Sequence, residues 1–421
     1  PLNFPATNPD IVKETFRSGG TNLLNGLKNF AEDLDPKTGR LNMRMVDKNK
    51  FVVGDNLACT PGKIIFQNEL VQLIQYQPTT KMAYEVPLLI IPPWINKYYI
   101  LDLRPENSLV RWLVSEGFSV FVISWKEPNE ENSEIDFYDY FSIGVHQVIN
   151  FMKSKLNFNR INTLGYCIGG TLQALCLSYF ERISDNPINS ATFLTSMIDF
   201  SEPGDLGFFV DEEIVEKLEV IMEADGYLDG SHMSQVFNIL RANDLIWHFF
   251  VNNYLKGKSP DAFDILYWNS DSTRLPRKMH SFYLREMYLN NSLAKPDVLE
   301  IQGTKIDITK ISTPSCFVSA VEDHIAPWRS TFAGAKLLGG EKTFILTNGG
   351  HVAGIVNPVE SSRYSHYVSK LEFKSPDEWL ESAKNMKASW WITWSSWLAD
   401  NSGSRIKALN INPKSVIEDA P

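Results

Sequence analysis

The chain has 421 residues, of which 43% are hydrophobic and 12% aromatic, so it can bury a large core and is not an intrinsically disordered chain. Acidic and basic residues are mixed along the sequence, with a formal net charge of −10 and a pI near 5.3. The sequence lacks the basic stripe that binds a nucleic-acid backbone. Composition therefore argues against a nucleic-acid partner.

The four cysteines, Cys59, Cys167, Cys176 and Cys316, form no CxxC pair and no spacing typical of a disulfide framework or a zinc site. This pattern favours a reducing compartment and predicts no metal. We find no apolar run of about 18 residues and no basic-then-apolar leader, so the sequence predicts neither a transmembrane segment nor a signal peptide. We therefore expect a cytoplasmic protein.

Strand and helix patterns alternate from residue 87 onward. The first 60 or so residues of the chain are rich in Asn, Asp, Gly and Pro, which predicts a surface-wrapping extension. Strand patterns follow at residues 64–66, 70–76, 88–91, 118–124, 161–164 and 191–195. Helix patterns lie at residues 108–115, 140–155 and 169–180. This alternation predicts a mostly parallel sheet with helices on its faces.

The alternation stops near residue 198 and resumes near residue 315. The intervening text is aromatic and largely helical, with clear helix patterns at residues 245–254 and 281–289. An insertion between two sheet strands commonly forms a cap over a site at their C-terminal ends. Further strands are predicted at residues 316–320 and 343–346, a helix at residues 330–338, and a Trp-rich amphipathic segment at residues 379–398.

These patterns predict an α/β-hydrolase fold with an inserted, largely helical cap subdomain. The predicted layout has five parts in chain order. They are an N-terminal extension that is the remainder of a truncated N-terminal region (1–80), the first part of the core (81–197), the cap (198–313), the second part of the core (314–400) and a C-terminal tail (401–421).

The strongest local signal is the sequence GYCIGG at residues 165–170, a G-x-S-x-G nucleophile elbow with Cys167 in place of serine. Small flanking residues allow a strand to turn abruptly into a helix and to hold the nucleophile at the N-terminus of that helix. Helix amides and the helix dipole favour the thiolate there. A tight turn with a buried, inert cysteine is the alternative, and the surrounding strand and helix patterns favour the elbow.

Two later strands end in loops that supply the partners of a thiol nucleophile. Asp323 follows the strand that ends at residue 320, and His351 follows the strand that ends at residue 346. The chain order of nucleophile, acid and histidine is that of α/β-hydrolases. Glu322 is a local competitor for the acid, and a solvated acidic pair is the structural alternative. We predict a triad of Cys167, His351 and Asp323.

Backbone amides should form the oxyanion hole of this site. One donor is the amide of Ile168, directly after the nucleophile, and the other comes from the loop after the strand at residues 88–91. Because Pro92 and Pro93 have no N–H, Ile95 is our choice for the second donor. His324 is predicted to support the acid loop from a second shell rather than to act as the base.

The chain resembles the class I polyhydroxyalkanoate synthase family, of the α/β-hydrolase superfamily, from its first residue to about residue 400. The segments that carry the resemblance are NFPATNP (3–9), PPWINKYYILDL (92–103), GYCIGGT (165–171), NYLKG (253–257), EDHIAPW (322–328) and GHVAG (350–354). Together they are far more specific than the elbow alone.

The resemblance implies an acyltransferase that polymerises (R)-3-hydroxyacyl-CoA into polyester with release of coenzyme A. Short-chain units such as 3-hydroxybutyryl-CoA are the expected substrates. It implies that Cys167 carries the growing chain, that His351 activates its thiol and that Asp323 assists. No cofactor is implied, since coenzyme A is part of the substrate and the leaving group. It also implies a homodimer, attachment to cytoplasmic polyhydroxyalkanoate granules, and granule-associated protein partners.

Two alternatives stay open at this point. A thioester hydrolase or polyhydroxyalkanoate depolymerase would use the same three residues with water as the acceptor. A granule-binding protein without enzymatic activity would keep the fold alone, although the intact set of Cys167, Asp323 and His351 argues against it.

Overall fold

A computed structural model describes residues 7–361 and 363–420 of the chain. Outside the described residues lie residues 1–6, residue 362 and residue 421. The first four residues of the NFPATNP segment and the last residue of the predicted tail are among them. The described part contains a sheet of eleven strands. In chain order these are Gly62–Gln67 (β1), Val71–Tyr76 (β2), Leu88–Ile91 (β3), Val120–Trp125 (β4), Ile161–Tyr166 (β5), Ile188–Leu194 (β6), Ser315–Ala320 (β7), Lys342–Thr347 (β8), His366–Lys370 (β9), Lys384–Met386 (β10) and Glu418–Asp419 (β11).

The strands lie in the order β10-β9-β8-β7-β6-β5-β3-β4-β2-β1-β11. Six neighbours, from β8 to β4 in that order, are parallel, and the strands at both edges are antiparallel. The parallel strands are buried on both faces, as their nearly continuous apolar sequences require. The predicted α/β architecture is confirmed. The carboxyl ends of β5, β7 and β8 bring three loops to one edge of the sheet.

Helices cover both faces of the sheet and build the cap region. The α-helices of four or more residues are Pro9–Arg17 (α1), Thr21–Asp33 (α2), Leu109–Ser115 (α3), Gln147–Leu156 (α4), Ile168–Arg182 (α5), Glu212–Asp225 (α6), Gly230–Leu240 (α7), Asp264–Asn269 (α8), Arg277–Phe282 (α9), Trp328–Leu337 (α10), Pro376–Ser382 (α11) and Trp390–Asp400 (α12). Wider π-helical turns run over Tyr140–His146, Ala242–Trp247, Val251–Leu255 and Tyr283–Leu289, with single α-turns at Phe137–Asp139 and His248–Phe250.

Two clusters of buried apolar side chains form the core, one on each face of the sheet. Alternate residues of a strand point to opposite faces, so Phe193 and Phe317 stack on one face, with ring centroids 4.4 Å apart, while Leu194 and Val318 pack on the other. The central sheet is therefore rigidly held, and its C-terminal edge is a fixed platform for loop residues.

The N-terminal segment differs from the predicted surface-wrapping extension, because α1 and α2 form a helical hairpin that packs on residues 253–258. Asn22 donates to the carbonyl of Leu255 at 2.8 Å, and the Tyr254 hydroxyl donates to the buried Asp33 carboxylate at 2.7 Å. A Cβ on Gly26 would stand 1.8 Å from the carbonyl oxygen of Tyr254. These contacts are distant in sequence, so the local composition could not reveal them.

The predicted domain boundaries stay a prediction, but the sheet crosses several of them. Strands β1 and β2 come from the predicted N-terminal extension, and β11 comes from the predicted tail. Among the described residues, three further two-stranded pairs lie outside the main sheet, at Met82–Tyr84 with Arg405–Lys407, Tyr227–Leu228 with Leu275–Pro276, and Glu300–Ile301 with Thr304–Lys305.

The prediction of one amphipathic segment at residues 379–398 is wrong. Strand β10 interrupts it by pairing with β9, and Ser389 starts a new helix by accepting a hydrogen bond from the amide of Trp391 at 3.1 Å. His366 is the buried first residue of β9. Its ring bonds to the Ala388 carbonyl at 2.9 Å and to the Thr393 hydroxyl at 2.8 Å, which gives it a structural role.

Candidate active site

The turn between β5 and α5 has the geometry of a nucleophile elbow. Cys167 lies between them with φ 53° and ψ −123°, a conformation that side chains other than glycine adopt only under strain. The flanking glycines have no room for a side chain. A Cβ on Gly165 would stand 2.5 Å from the Cα of Gly170, and one on Gly169 would stand 2.2 Å from the carbonyl oxygen of Ile91. The glycines therefore permit the tight turn that presents the thiol, which is partly exposed.

The structure brings Cys167, His351 and Asp323 together. The Nδ1 atom of His351 lies 2.8 Å from the Oδ2 atom of Asp323 and makes a hydrogen bond, and Cys167 lies close enough to the His351 ring to raise its pKa. Because Nδ1 bonds to the acid, Nε2 is the ring nitrogen left for the thiol. The arrangement reproduces the relative positions of nucleophile, base and acid in an α/β-hydrolase site.

Asp323 is fixed by its own loop. Its Oδ1 atom accepts hydrogen bonds from the amides of Ile325 and Ala326, both at 2.9 Å, and its side chain is fully buried. With Oδ2 bonded to His351, both carboxylate oxygens have donors. The competing acid Glu322 is exposed, although it lines the edge of the same cavity. Of the two carboxylates, only Asp323 bonds to the histidine.

The charges around His351 outweigh its burial. Burial alone would lower the pKa of this imidazole, but the charges of Asp323 and Cys167, together with the hydrogen bond to Asp323, raise it well above its ordinary value. The backbone of His351 is also fixed, because its carbonyl accepts a hydrogen bond from the Tyr166 hydroxyl at 3.2 Å. These surroundings therefore favour the protonated form of His351.

The two predicted amide donors lie in the wall around Cys167. Ile168 is the first residue of α5, where a backbone N–H has no acceptor within the helix. Ile95 lies in the loop after β3 and lines the same cavity. Thr273 lies in the predicted cap. Its amide donates to the Ile95 carbonyl at 3.0 Å, and its hydroxyl donates to the Trp94 carbonyl. The cap thus holds the loop in place, and the role of both amides stays a prediction.

His324 is half-buried and lines the cavity beside the acid loop. Its backbone carbonyl accepts the amide of Asp205 at 3.0 Å, which ties the acid loop to the residues that lead into the cap. Its Nδ1 atom is buried and has no hydrogen-bond partner among the described residues. Burial lowers the pKa of His324. The predicted supporting role therefore rests on the backbone contact, and it stays a prediction.

A cavity of about 440 Å³ opens onto Cys167 between the sheet edge and the cap. Its walls are mainly apolar and aromatic. Tyr283 and Tyr288, which sequence reasoning did not select, line this cavity near the thiol, and their ring centroids lie 5.5 Å apart. Burial is the main cause that raises the pKa of both tyrosines. The neighbouring Tyr288 also raises the pKa of Tyr283, and the charge of Cys167 raises the pKa of both. Their five-residue spacing on a π-helical turn has no simple signal in sequence.

Two protein-family models match overlapping parts of the chain. Residues 87–358 match the model described as "alpha/beta hydrolase fold", and residues 1–113 match "Poly-beta-hydroxybutyrate polymerase (PhaC) N-terminus". The first match places the chain in the α/β-hydrolase class that its sheet and elbow define.

Curated relatives are similar along nearly the whole chain. The poly(3-hydroxyalkanoate) polymerase subunit PhaC of Rhizobium meliloti is 43% identical over 422 residues, covering 100% of this chain and 69% of the relative. The poly(3-hydroxyalkanoate) polymerase of Methylorubrum extorquens is 43% identical, covering 97% and 67%, and the PhaC subunit of Cupriavidus necator is 38% identical, covering 96% and 69%. The chain spans about two thirds of the length of these relatives.

The chain belongs to the poly(3-hydroxyalkanoate) polymerase family. This membership confirms the predicted family, the α/β-hydrolase fold and the acyltransferase class. Within residues 7–361 and 363–420, no helix has both the length and the apolar character needed to span a bilayer. In the same residues, no cluster of three or more His, Cys, Asp or Glu side chains is arranged to hold a metal ion.

Proposed function

We propose that this chain polymerises (R)-3-hydroxyacyl-CoA into polyester through a covalent thioester on Cys167. The single observation that carries the proposal is the contact of Cys167, His351 and Asp323 at the floor of an apolar cavity. Membership of the polymerase family supports the substrate class. Cofactors are not needed in this reaction, since coenzyme A enters as part of the substrate and leaves as a thiol.

In the first step the Cys167 sulfur attacks the thioester carbonyl of the substrate. The oxyanion that forms accepts hydrogen bonds from the amides of Ile168 and Ile95. When the carbonyl re-forms, the carbon–sulfur bond to coenzyme A breaks, and the imidazolium of His351 protonates the departing thiolate. One thioester replaces another, so the exchange is nearly balanced in free energy and the acyl group can be passed on.

In the second step the 3-hydroxyl group of another hydroxyacyl unit attacks the Cys167 thioester. We propose His351 as the base that removes the hydroxyl proton. Asp323 has both oxygens bonded within the protein and a fully buried side chain, so it cannot reach this hydroxyl without losing those bonds. Its role is to orient His351 and to stabilise the imidazolium. An ester bond forms, the thiol of Cys167 is restored, and the lengthened chain is now the acyl group of the incoming coenzyme A thioester. A repeat of the first step returns this chain to Cys167 and releases coenzyme A.

We propose short-chain substrates such as 3-hydroxybutyryl-CoA, because the bulky side chains of Tyr283 and Tyr288 line the same cavity as Cys167 and would restrict the acyl side chain. Arg241 also lines the cavity, with 40% of its side chain exposed, and we propose it as a contact for the phosphates of coenzyme A. By the same family membership we propose a homodimer that acts at cytoplasmic polyhydroxyalkanoate granules, where it meets the polyester and granule-associated proteins.

An assay of thiol release beside polymer formation tests this function. The protein is incubated with 3-hydroxybutyryl-CoA and, separately, with a medium-chain homologue, with Cys167→Ala as the control. The proposal predicts coenzyme A release together with insoluble polyester, fastest with the short chain and absent in the variant. Release of free hydroxy acid without polymer would identify a hydrolase instead. An absence of any turnover would favour a binding protein.

A further inference from the structure

His280 is a buried histidine in the active-site cavity to which the mechanism above gives no role. It lies on α9 with 4% of its surface exposed, and it contributes to the cavity wall. Tyr283 and Leu284, three and four residues further along the same helical segment, line the same wall, so all three share one helix face. His280 therefore faces the space in which an acyl chain would lie.

The His280 ring has no hydrogen-bond partner within the described part of the protein. Burial lowers its pKa to about 4, and neither an ion nor a hydrogen bond contributes. The ring is consequently neutral at physiological pH, with one N–H donor and one nitrogen acceptor. Its ring nitrogens are not among the fully enclosed polar atoms that lack a partner, so they reach the open space of the cavity. A ligand in the cavity can supply the missing partner.

The walls around His280 narrow the choice of ligand. Leu228, Leu275 and Met233 line the cavity with it, so the ligand is mostly apolar. A plain hydrocarbon chain would give the ring no hydrogen bond. A polyester chain carries one ester carbonyl, a hydrogen-bond acceptor, in every unit along an otherwise apolar backbone.

We propose that His280 is a positioning residue that donates a hydrogen bond to an ester carbonyl of the polyester chain held on Cys167. This inference rests on the proposed function, since it needs a growing polyester. It makes the cavity selective for an acyl chain with ester groups over a hydrocarbon chain of equal length. The bond also fixes the direction in which the chain leaves Cys167, so that the next hydroxyl group meets the thioester carbonyl in the same geometry at every step.

Separate rates of acylation and elongation test this role. In the parent, His280→Leu and His280→Gln, rapid mixing with 3-hydroxybutyryl-CoA gives the rate of the first coenzyme A release, and the later steady release with the polymer mass gives elongation. One lost hydrogen bond corresponds to a roughly 2- to 10-fold change. We expect the ratio of elongation rate to acylation rate to fall by that factor in the leucine variant, with shorter polymer, and the glutamine variant, which keeps a donor, to restore most of the ratio.

His280→Phe provides a second apolar variant should the leucine variant fail to fold. Equal loss of acylation and elongation in the apolar variants would overturn the inference, because a purely structural role affects both. A glutamine variant that loses as much of the elongation-to-acylation ratio as the apolar variants would also overturn it. The same holds if the apolar variants keep the parental ratio, which is expected if His280 only bonds to water. The parent protein tests the proposed function separately, because coenzyme A release without polymer there would overturn both proposals.

Discussion

The strained backbone of Cys167 gives a prediction that is independent of chemistry. With φ 53° and ψ −123°, the residue has backbone dihedral angles that glycine adopts without strain, whereas other residues are strained there by about 1–3 kcal/mol. Glycine costs about 0.5–1 kcal/mol more backbone entropy on folding than alanine does. Since neither Cys167→Gly nor Cys167→Ala carries a nucleophile, the difference between them isolates the backbone. We expect the glycine variant to have the larger free energy of unfolding, by about 0.5–2 kcal/mol.

Urea unfolding followed by tryptophan fluorescence measures this difference. The matched control is Ala174→Gly, which lies within the buried interior of α5, where glycine should lower the free energy of unfolding by about 1 kcal/mol or more. The same kind of exchange should therefore have opposite signs at two positions seven residues apart. A Cys167→Gly variant that unfolds at lower urea than Cys167→Ala would refute the interpretation that the elbow stores strain.

Two other perturbations test the cap contact and the site charges. Gly26→Ala should weaken the packing of α2 on the cap by about 1–3 kcal/mol, because its Cβ would stand 1.8 Å from the Tyr254 carbonyl oxygen. Hydrogen exchange of residues 251–258 should rise in that variant, whereas Leu24→Ala on the exposed face of α2 should leave it unchanged. Asp323→Asn removes a charge that raises the pKa of His351, so nuclear magnetic resonance should show the ring losing its proton at a lower pH than in the parent, and an unchanged titration would contradict the assigned cause.

The residues that could be predicted from sequence are those with a local signal. The glycines around Cys167 mark the elbow because the steric demand is local, and Asp323 and His351 follow recognisable strands whose order in the chain matches the fold. The structure joins the two directly, with Nδ1 and Oδ2 2.8 Å apart. Sequence could not show that both carboxylate oxygens of Asp323 are bonded within the protein, since that depends on the amides of its own loop.

The features that escaped prediction depend on contacts between distant segments. Helix α2 contains a glycine and several asparagines, which weaken its intrinsic propensity, and it is stabilised by packing on residues 253–258. Strand β10 breaks the Trp-rich segment because β9 offers it a partner. Tyr283, Tyr288 and His280 reach the cavity only because the cap folds over the sheet edge, and no spacing rule indicates this.

The central claim is that Cys167 carries the acyl chain. Its most direct test is mass spectrometry of the protein quenched in acid soon after mixing with 3-hydroxybutyryl-CoA, followed by proteolysis. We expect the peptide that contains Cys167 to gain one or more 3-hydroxybutyryl units, in a bond that hydroxylamine cleaves, and the Cys167→Ala protein to gain none. An unmodified Cys167 peptide during active polymer synthesis, or equal synthesis by Cys167→Ala, would contradict the account.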